Sequence, residues 1–205
     1  WNFGDNSHIT NIGSSSFSVW RRLTSITIGE EVTSIGNHVF YGCRALIEIN
    51  YNATNAADLA SNNYVFDSAG QDGEGITVNI GANVRSLPNY IFYPNSGSSS
   101  RPNITTVNFA EDGQLTSIGN YTFYNCSSLT SITIPDSVTS IGSLAFLGCS
   151  ALAEVYNYSS LTITVGSTSN GYVGWYAKVV YNAEDLVGEK PAPRITVVEN
   201  VQYYN

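Results

Sequence analysis

Three cysteines, Cys43, Cys126 and Cys149, and two histidines, His8 and His38, are the chain's candidates for nucleophilic or metal chemistry. A Cys–His nucleophile requires both side chains in one cleft. His38 and Cys43 lie five residues apart, but the position of His38 is filled in sibling repeats by Leu144, Thr122 or Tyr90. That tolerance fits a rim and not a catalytic base. A structural zinc site needs four ligands, and the spacing supplies none. All three cysteines fall at one repeat position, which predicts buried thiols acting as small hydrophobes. Cys126 and Cys149 stand on adjacent repeats, so a disulfide between them is geometrically open. It would leave Cys43 over, which argues against an oxidised framework.

The carboxylates suggest no better constellation. Asp67, Asp72 and Glu74 share one polar stretch, but their spacing departs from a calcium loop, which places acids at positions one, three and five with a distal Glu. They are expected to be solvated, as are Glu30, Glu31 and Asp136 at turns. Five Asn-x-Ser/Thr sequons begin at Asn52, Asn103, Asn120, Asn125 and Asn157. In a chain so rich in Asn, Ser and Thr, several arise by chance. The expectation is therefore no catalytic residue, no metal and no cofactor.

Composition narrows the partners. Hydrophobic residues make up 42% of the 205, enough for a core, and only 12% are charged, about half the usual share. The surface must be built of Ser, Thr and Asn. The net charge is −8 with eight scattered Lys and Arg. Nucleic acid is excluded, because binding it needs clustered cations to displace counterions, and an anionic membrane surface is disfavoured likewise. No run of 18 apolar residues spans a bilayer. The chain opens at Trp1 and has no Met, which reads as a processed or trimmed piece.

These scattered side chains hang on a repeat. Leu129-Thr-Ser-Ile132-Thr-Ile134-Pro-Asp-Ser-Val138-Thr-Ser-Ile141-Gly142-Ser-Leu-Ala-Phe146-Leu-Gly-Cys149 matches Leu23-Thr-Ser-Ile26-Thr-Ile28-Gly-Glu-Glu-Val32-Thr-Ser-Ile35-Gly36-Asn-His-Val-Phe40-Tyr-Gly-Cys43 at every apolar position. Phe17 to Phe40 and Phe123 to Phe146 are each 23 residues. Divergent copies run Val78 to Phe92 and Ile104 to Cys126. Five copies of the turn and six of the strand are legible. Insertions at about 52–75 and 94–102 interrupt the period.

In each unit Leu-x-x-Ile-x-Ile alternates as a half-buried strand. Gly or Pro135-Asp136 turns the chain. Val-Thr-Ser-Ile is a second extended piece, and Gly-x-x-x-Phe-x-x-Cys predicts one helical turn. One unit buries about six apolar side chains at about 1.5–3 kcal/mol each. Ordering its backbone costs about 1–2 kcal/mol per residue, so a lone unit loses and units must stack into a solenoid.

The motifs Leu-Thr-Ser-Ile-Thr-Ile-Pro, Val-Thr-Ser-Ile-Gly and Ala145-Phe-x-x-Cys149 resemble the BspA-like leucine-rich repeat family of surface proteins, over about residues 9–158. The tail from Val155 to Tyr181 is similar to the segment closing such arrays. The resemblance implies a leucine-rich-repeat solenoid, a right-handed superhelix with a concave parallel β-sheet and short convex strands or turns. It also implies display outside the cell, adhesion or protein binding, and no catalytic residues.

The domain layout expected is a solenoid over 1–165, a C-terminal cap over 166–187, and a linker with the start of a following module over 188–205. Val173, Tyr176, Ala177 and Val180 fall at helical spacing and predict a capping helix. Trp1 and Phe3 are candidates for an N-terminal cap, Gly188 to Pro193 for the linker, and Ile195 to Val198 for a further strand.

Strand alternation turns one set of side chains outward: Ser25, Thr27, Glu48, Asn50, Thr77, Asn79, Thr106, Asn108, Ser131, Thr133, Glu154 and Tyr156. They are either a solubilising surface or a ligand-facing ledge. Six strands at about 4.8 Å, four residues deep, give roughly 380 Å², against about 800 Å² per partner in a stable protein interface. A non-enzymatic monomer binding an extracellular protein or glycan by many weak contacts is the leading expectation. A structural spacer presenting another domain is the alternative.

Overall fold

The structure, a computed structural model, describes residues 8–95 and 101–186. The chain winds as a stack of coils, each contributing a long strand, in most cases a short strand, and a turn. The long strands are β2 (Ser25–Ile28), β4 (Glu48–Tyr51), β5 (Ile76–Ile80), β7 (Ile104–Phe109), β9 (Ser131–Ile134), β11 (Glu154–Asn157) and β12 (Val179–Asn182). The short ones are β1 (Asn11–Ile12), β3 (Ser34–Ile35), β6 (Ser86–Leu87), β8 (Ser117–Ile118) and β10 (Ser140–Ile141).

Every pairing is parallel, because a full coil separates neighbours. The long strands form two ladders, β2-β4-β5-β7 and β9-β11-β12, and the short strands form β1-β3 and β6-β8-β10. Like residues sit over like: Ile26 over Ile49, Val78 and Val107, and Ile132 over Val155 and Val180. Six phenylalanines form a column through the core. Phe17, Phe40, Phe66, Phe92, Phe123 and Phe146 follow one another at 5.5, 5.1, 5.4, 5.4 and 5.3 Å between ring centroids. Each ring pair adds about 0.5–1.5 kcal/mol beyond the area it buries.

The predicted helical turn around each Phe is a different structure. Its amides alternate between two jobs. In the first coil Ser15, Phe17 and Val19 donate to carbonyls of the next coil, while Ser16, Ser18 and Trp20 donate three residues back. Tyr121, Phe123 and Asn125 repeat the outward bonds to Ser143, Ala145 and Leu147. The geometry needs left-handed residues at regular positions, among them His38 (φ 54), Tyr90 (φ 60), Tyr121 (φ 56) and Leu144 (φ 56). A left-handed non-glycine costs about 1–2 kcal/mol. The gain is a third hydrogen-bonded ladder between coils.

The stretch 52–75, expected as an insertion, belongs to the third coil. Phe66 takes its place in the phenylalanine column, and Val65, Phe66 and Ala69 are fully buried. Asn62 and Ala69 stand where sibling coils carry Gly and Cys, which hides the repeat in the sequence. Ala57 and Leu59 donate to Thr33 and Asn89, fixing the longer path without a short strand. The short-strand ladder is broken there, between β3 and β6. Of the second expected insertion, 94–102, residues 96–100 lie outside the described residues.

The expected capping helix is also corrected. Residues 170–172 make a 3-10 turn, and Val179–Asn182 becomes β12, a seventh long strand paired with β11. Asn170, Gly171 and Tyr172 all have positive φ, which an α-helix cannot absorb. A second 3-10 turn, Ala183–Leu186, follows. The proposed N-terminal cap, the linker and the strand at 195–198 lie outside the described residues.

Candidate binding faces

The predicted ledge is assembled in register, but as two blocks. In the first, Ser25, Glu48, Thr77 and Thr106 form one row, and Thr27, Asn50, Asn79 and Asn108 the other. In the second, Ser131 aligns with Glu154, and Thr133 with Tyr156. The single six-stranded sheet expected is interrupted between β7 and β9, which share no ladder. β12 extends the second block with Val179 and Tyr181.

Much of this face is bonded to itself. Asn108 donates to Asn79 at 2.9 Å, and Asn79 donates to Asn50 at 2.9 Å. The same Asn79 amide reaches Glu48 at 3.4 Å. Parallel strands in register place identical amides one strand spacing apart, near 4.8 Å, so each carbamoyl bridges to the next. The row is thereby fixed in one orientation. In the second block the Tyr156 hydroxyl donates to Glu154 at 2.9 Å, and its ring stacks on Tyr181 at 5.1 Å.

A second face had no sequence prediction. In the turns, the residues two before and one after each core Phe point the same way. They are His38 and Tyr41, Tyr64 and Asp67, Tyr90 and Tyr93, Tyr121 and Tyr124. His38 contacts Tyr41 and Tyr64 at 5.6 and 5.7 Å. Tyr64 stacks on Tyr93 at 6.4 Å, Tyr90 on Tyr121 at 4.9 Å, and Tyr93 packs on Tyr124 at 5.1 Å. Within coils, Tyr90 meets Tyr93 edge-on at 5.3 Å. The position of His38 recurs as Tyr121, one residue before the expected Thr122, which is fully buried and bonded to Gly119. The signal in the sequence was the Tyr-x-Phe-Tyr run at 121–124, read with Tyr90-x-Phe-Tyr93.

The residues first suspected of chemistry are engaged otherwise. All three thiols are free and buried. Cys43 and Cys149 donate to the Phe17 and Phe123 carbonyls of the preceding coils, each at 3.2 Å. Burial pushes Cys43 up to about 11 and Cys149 up to about 12, and it also raises Cys126, with the adjacent Cys149 adding to the rise. Thiolates, the reactive form, are thus suppressed. His8 pairs with Glu31 at 3.2 Å in the open. Asp72 pairs with Arg44 at 2.7 Å, half-exposed.

Asp67 departs from the solvated loop expected of it. It is buried beneath the aromatic face, accepts one bond from the Asn95 amide at 3.2 Å, and has its pKa raised by burial. Among the described residues no group of three His, Cys, Asp or Glu is placed to hold a metal, and no helix is long and apolar enough to cross a membrane. Three of the sequon asparagines are engaged in hydrogen bonds within the stack. Asn157 donates to Leu161 and Asn182 at 2.7 and 2.8 Å, Asn103 donates to Gly70, and Asn120 caps Ser143.

Comparison with known proteins matches the chain to a BspA-type leucine-rich repeat region, six copies over residues 2–93 and 62–169. Solved structures similar to it include a leucine-rich cell surface protein of Faecalibacterium prausnitzii, 26% identical, covering 72% of this chain and 42% of that one, TM-score 0.39. A leucine-rich repeat protein of Bacteroides ovatus is 22% identical, covering 86% and 45%, TM-score 0.46. The T. pallidum leucine-rich repeat protein is 21% identical, covering 85% and 67%, TM-score 0.42. The chain spans about half the length of these structures, from 42% to 67%. No curated protein matches it.

Proposed function

Because the chain belongs to the BspA-type leucine-rich repeat family, we propose that it is an adhesion or binding module displayed outside the cell, recognising a protein or glycan without transforming it. The observation that carries this reading is the Asn50–Asn79–Asn108 row. Its amides are held before any ligand arrives, so little side-chain entropy is lost on contact. Each carbamoyl keeps a further N–H or lone pair for a partner. The face is polar and nearly uncharged, which suits hydrogen bonding better than steering.

Area limits the strength of a single engagement. Each block is well short of the roughly 800 Å² per partner of a stable protein interface. Binding therefore works by clustering, many weak contacts acting together. The test is capture of matrix proteins, mucin or glycans by the full chain clustered on beads, against a variant whose strand-face side chains are scrambled. Enrichment over that variant is expected. Equal capture by the two would remove the reading.

A further inference from the structure

We propose that the tyrosine ridge on the turn face is a docking strip for an extended, uncharged polysaccharide laid along the axis of the stack; this rests on the binding-module reading and adds a second site to it. The strip runs through Tyr64, Tyr93, Tyr90, Tyr121 and Tyr124, each in ring contact with the next. His38 and Tyr41 extend it to the second coil.

Three properties of the ridge select the ligand. The first is charge. No Lys or Arg occupies either ring position in any coil, and the one acid, Asp67, is buried. A strip of neutral phenols offers nothing to a polyanion, so nucleic acid and acidic glycans are disfavoured.

The second is the direction of the rings. They stack on one another along the axis, so their faces are spent on neighbours. The ridge tyrosines are half-buried. Tyr51 and Tyr158 are the described tyrosines whose partnerless hydroxyls are buried, and neither lies on the strip. A phenol both donates and accepts, as a sugar hydroxyl does, and the ring edge beside it is apolar.

The third is period and size. Coils repeat at about 4.8 Å, roughly the advance of one pyranose in an extended β-1,4 chain. A polymer of that pitch meets Tyr90 and Tyr93 on one coil and Tyr121 and Tyr124 on the next, with Tyr64 alone on the coil before them. Seven rings over four coils amount to roughly 300 Å² at most, far below the roughly 800 Å² a protein partner needs. Ser15 and Ser18 precede the strip and Leu144 and Leu147 follow it, so it has defined ends.

The test uses the full chain with three hexasaccharides: β-1,4-linked glucose, β-1,4-linked N-acetylglucosamine, and α-1,4-linked glucose, whose helical chain breaks the match. At least one β-linked hexamer is expected to bind in calorimetry and to shift the ridge tyrosine ring signals in NMR, with the α-linked one at least tenfold weaker. The Y90F/Y121F/Y124F variant keeps the ring packing and loses those three hydroxyls; it should bind at least tenfold more weakly at an unchanged melting temperature. Absence of β-hexamer binding to the native chain, equal binding of the α-hexamer, or undiminished binding by the Phe variant overturns the strip. If bead capture through the strand face persists in any of those cases, the strip alone falls. If it is lost as well, the binding-module reading falls with it.

Discussion

The side-chain amide of Asn79 donates to the oxygen of Asn50 at 2.9 Å, one strand away on the same face. The bond joins β5 to β4 outside the backbone ladder, and Asn108 extends it to β7. Three residues predicted to meet a ligand thus also hold the sheet. Asn79→Ala removes both amide–amide bonds and the longer contact to Glu48 at once. It should cost about 1–3 kcal/mol, read as a lower urea midpoint with an unchanged slope. Asn108→Ala, which loses one bond, should cost less.

Coils approach closely at Gly36, Gly119 and Gly142, the glycines that open three of the turns. Gly142 donates to Ile118 at 2.8 Å, and a Cβ there would lie 2.5 Å from the Asn120 nitrogen. Backbone cannot yield as a side chain does. Gly142→Ala should therefore destabilise by about 1–3 kcal/mol, and thermal melts will show it. Gly166→Ala lowers stability only through its positive φ, since nothing lies within 4 Å of it.

Tyr51 carries a hydroxyl with no partner at a fully buried position aligned with Ile28 and Ile80. Burial raises its pKa far above the ordinary phenol value. Removing a buried unsatisfied group recovers its desolvation penalty, about 1–3 kcal/mol. Tyr51→Phe should raise the melting temperature. A fall would mean the hydroxyl has found a hydrogen bond.

Asp67 makes stability depend on pH in the less common direction. Its folded pKa lies above the ordinary 3.8, from burial, offset in part by the Asn95 amide and His38. The folded state then holds its proton more tightly than the unfolded state, so stability falls as pH rises from about 4 through the folded pKa. Asp67→Asn should be more stable than the native chain at pH 7, and the gap should close near pH 3. Urea titrations across that range measure it.

The regular coils were legible because spacing fixes them. The Leu23–Cys43 and Leu129–Cys149 copies give strand, turn and buried column directly, and the twelve outward residues follow from alternation. The third coil was not legible. Asn62 replaces the turn glycine and Ala69 the cysteine, so only Phe66 marks it, and a column of stacked rings is a property of three dimensions. The capping helix failed for a related reason: apolar spacing at Val173, Tyr176 and Ala177 also fits a turn, and the left-handed backbone at 170–172 leaves no trace in that spacing. Tyr64, Tyr93 and Tyr121 drew no expectation from the sequence, because the distance between equivalent positions differs from coil to coil.

Density dependence tests the central claim, a weak polar face made effective by repetition, most directly. The full chain is coupled to a surface at rising density and retention of a mucin- or matrix-coated bead is measured. Retention should climb much more steeply than in proportion to density, and the free chain should compete poorly. Retention strictly proportional to density, with efficient competition by the free chain, would contradict it.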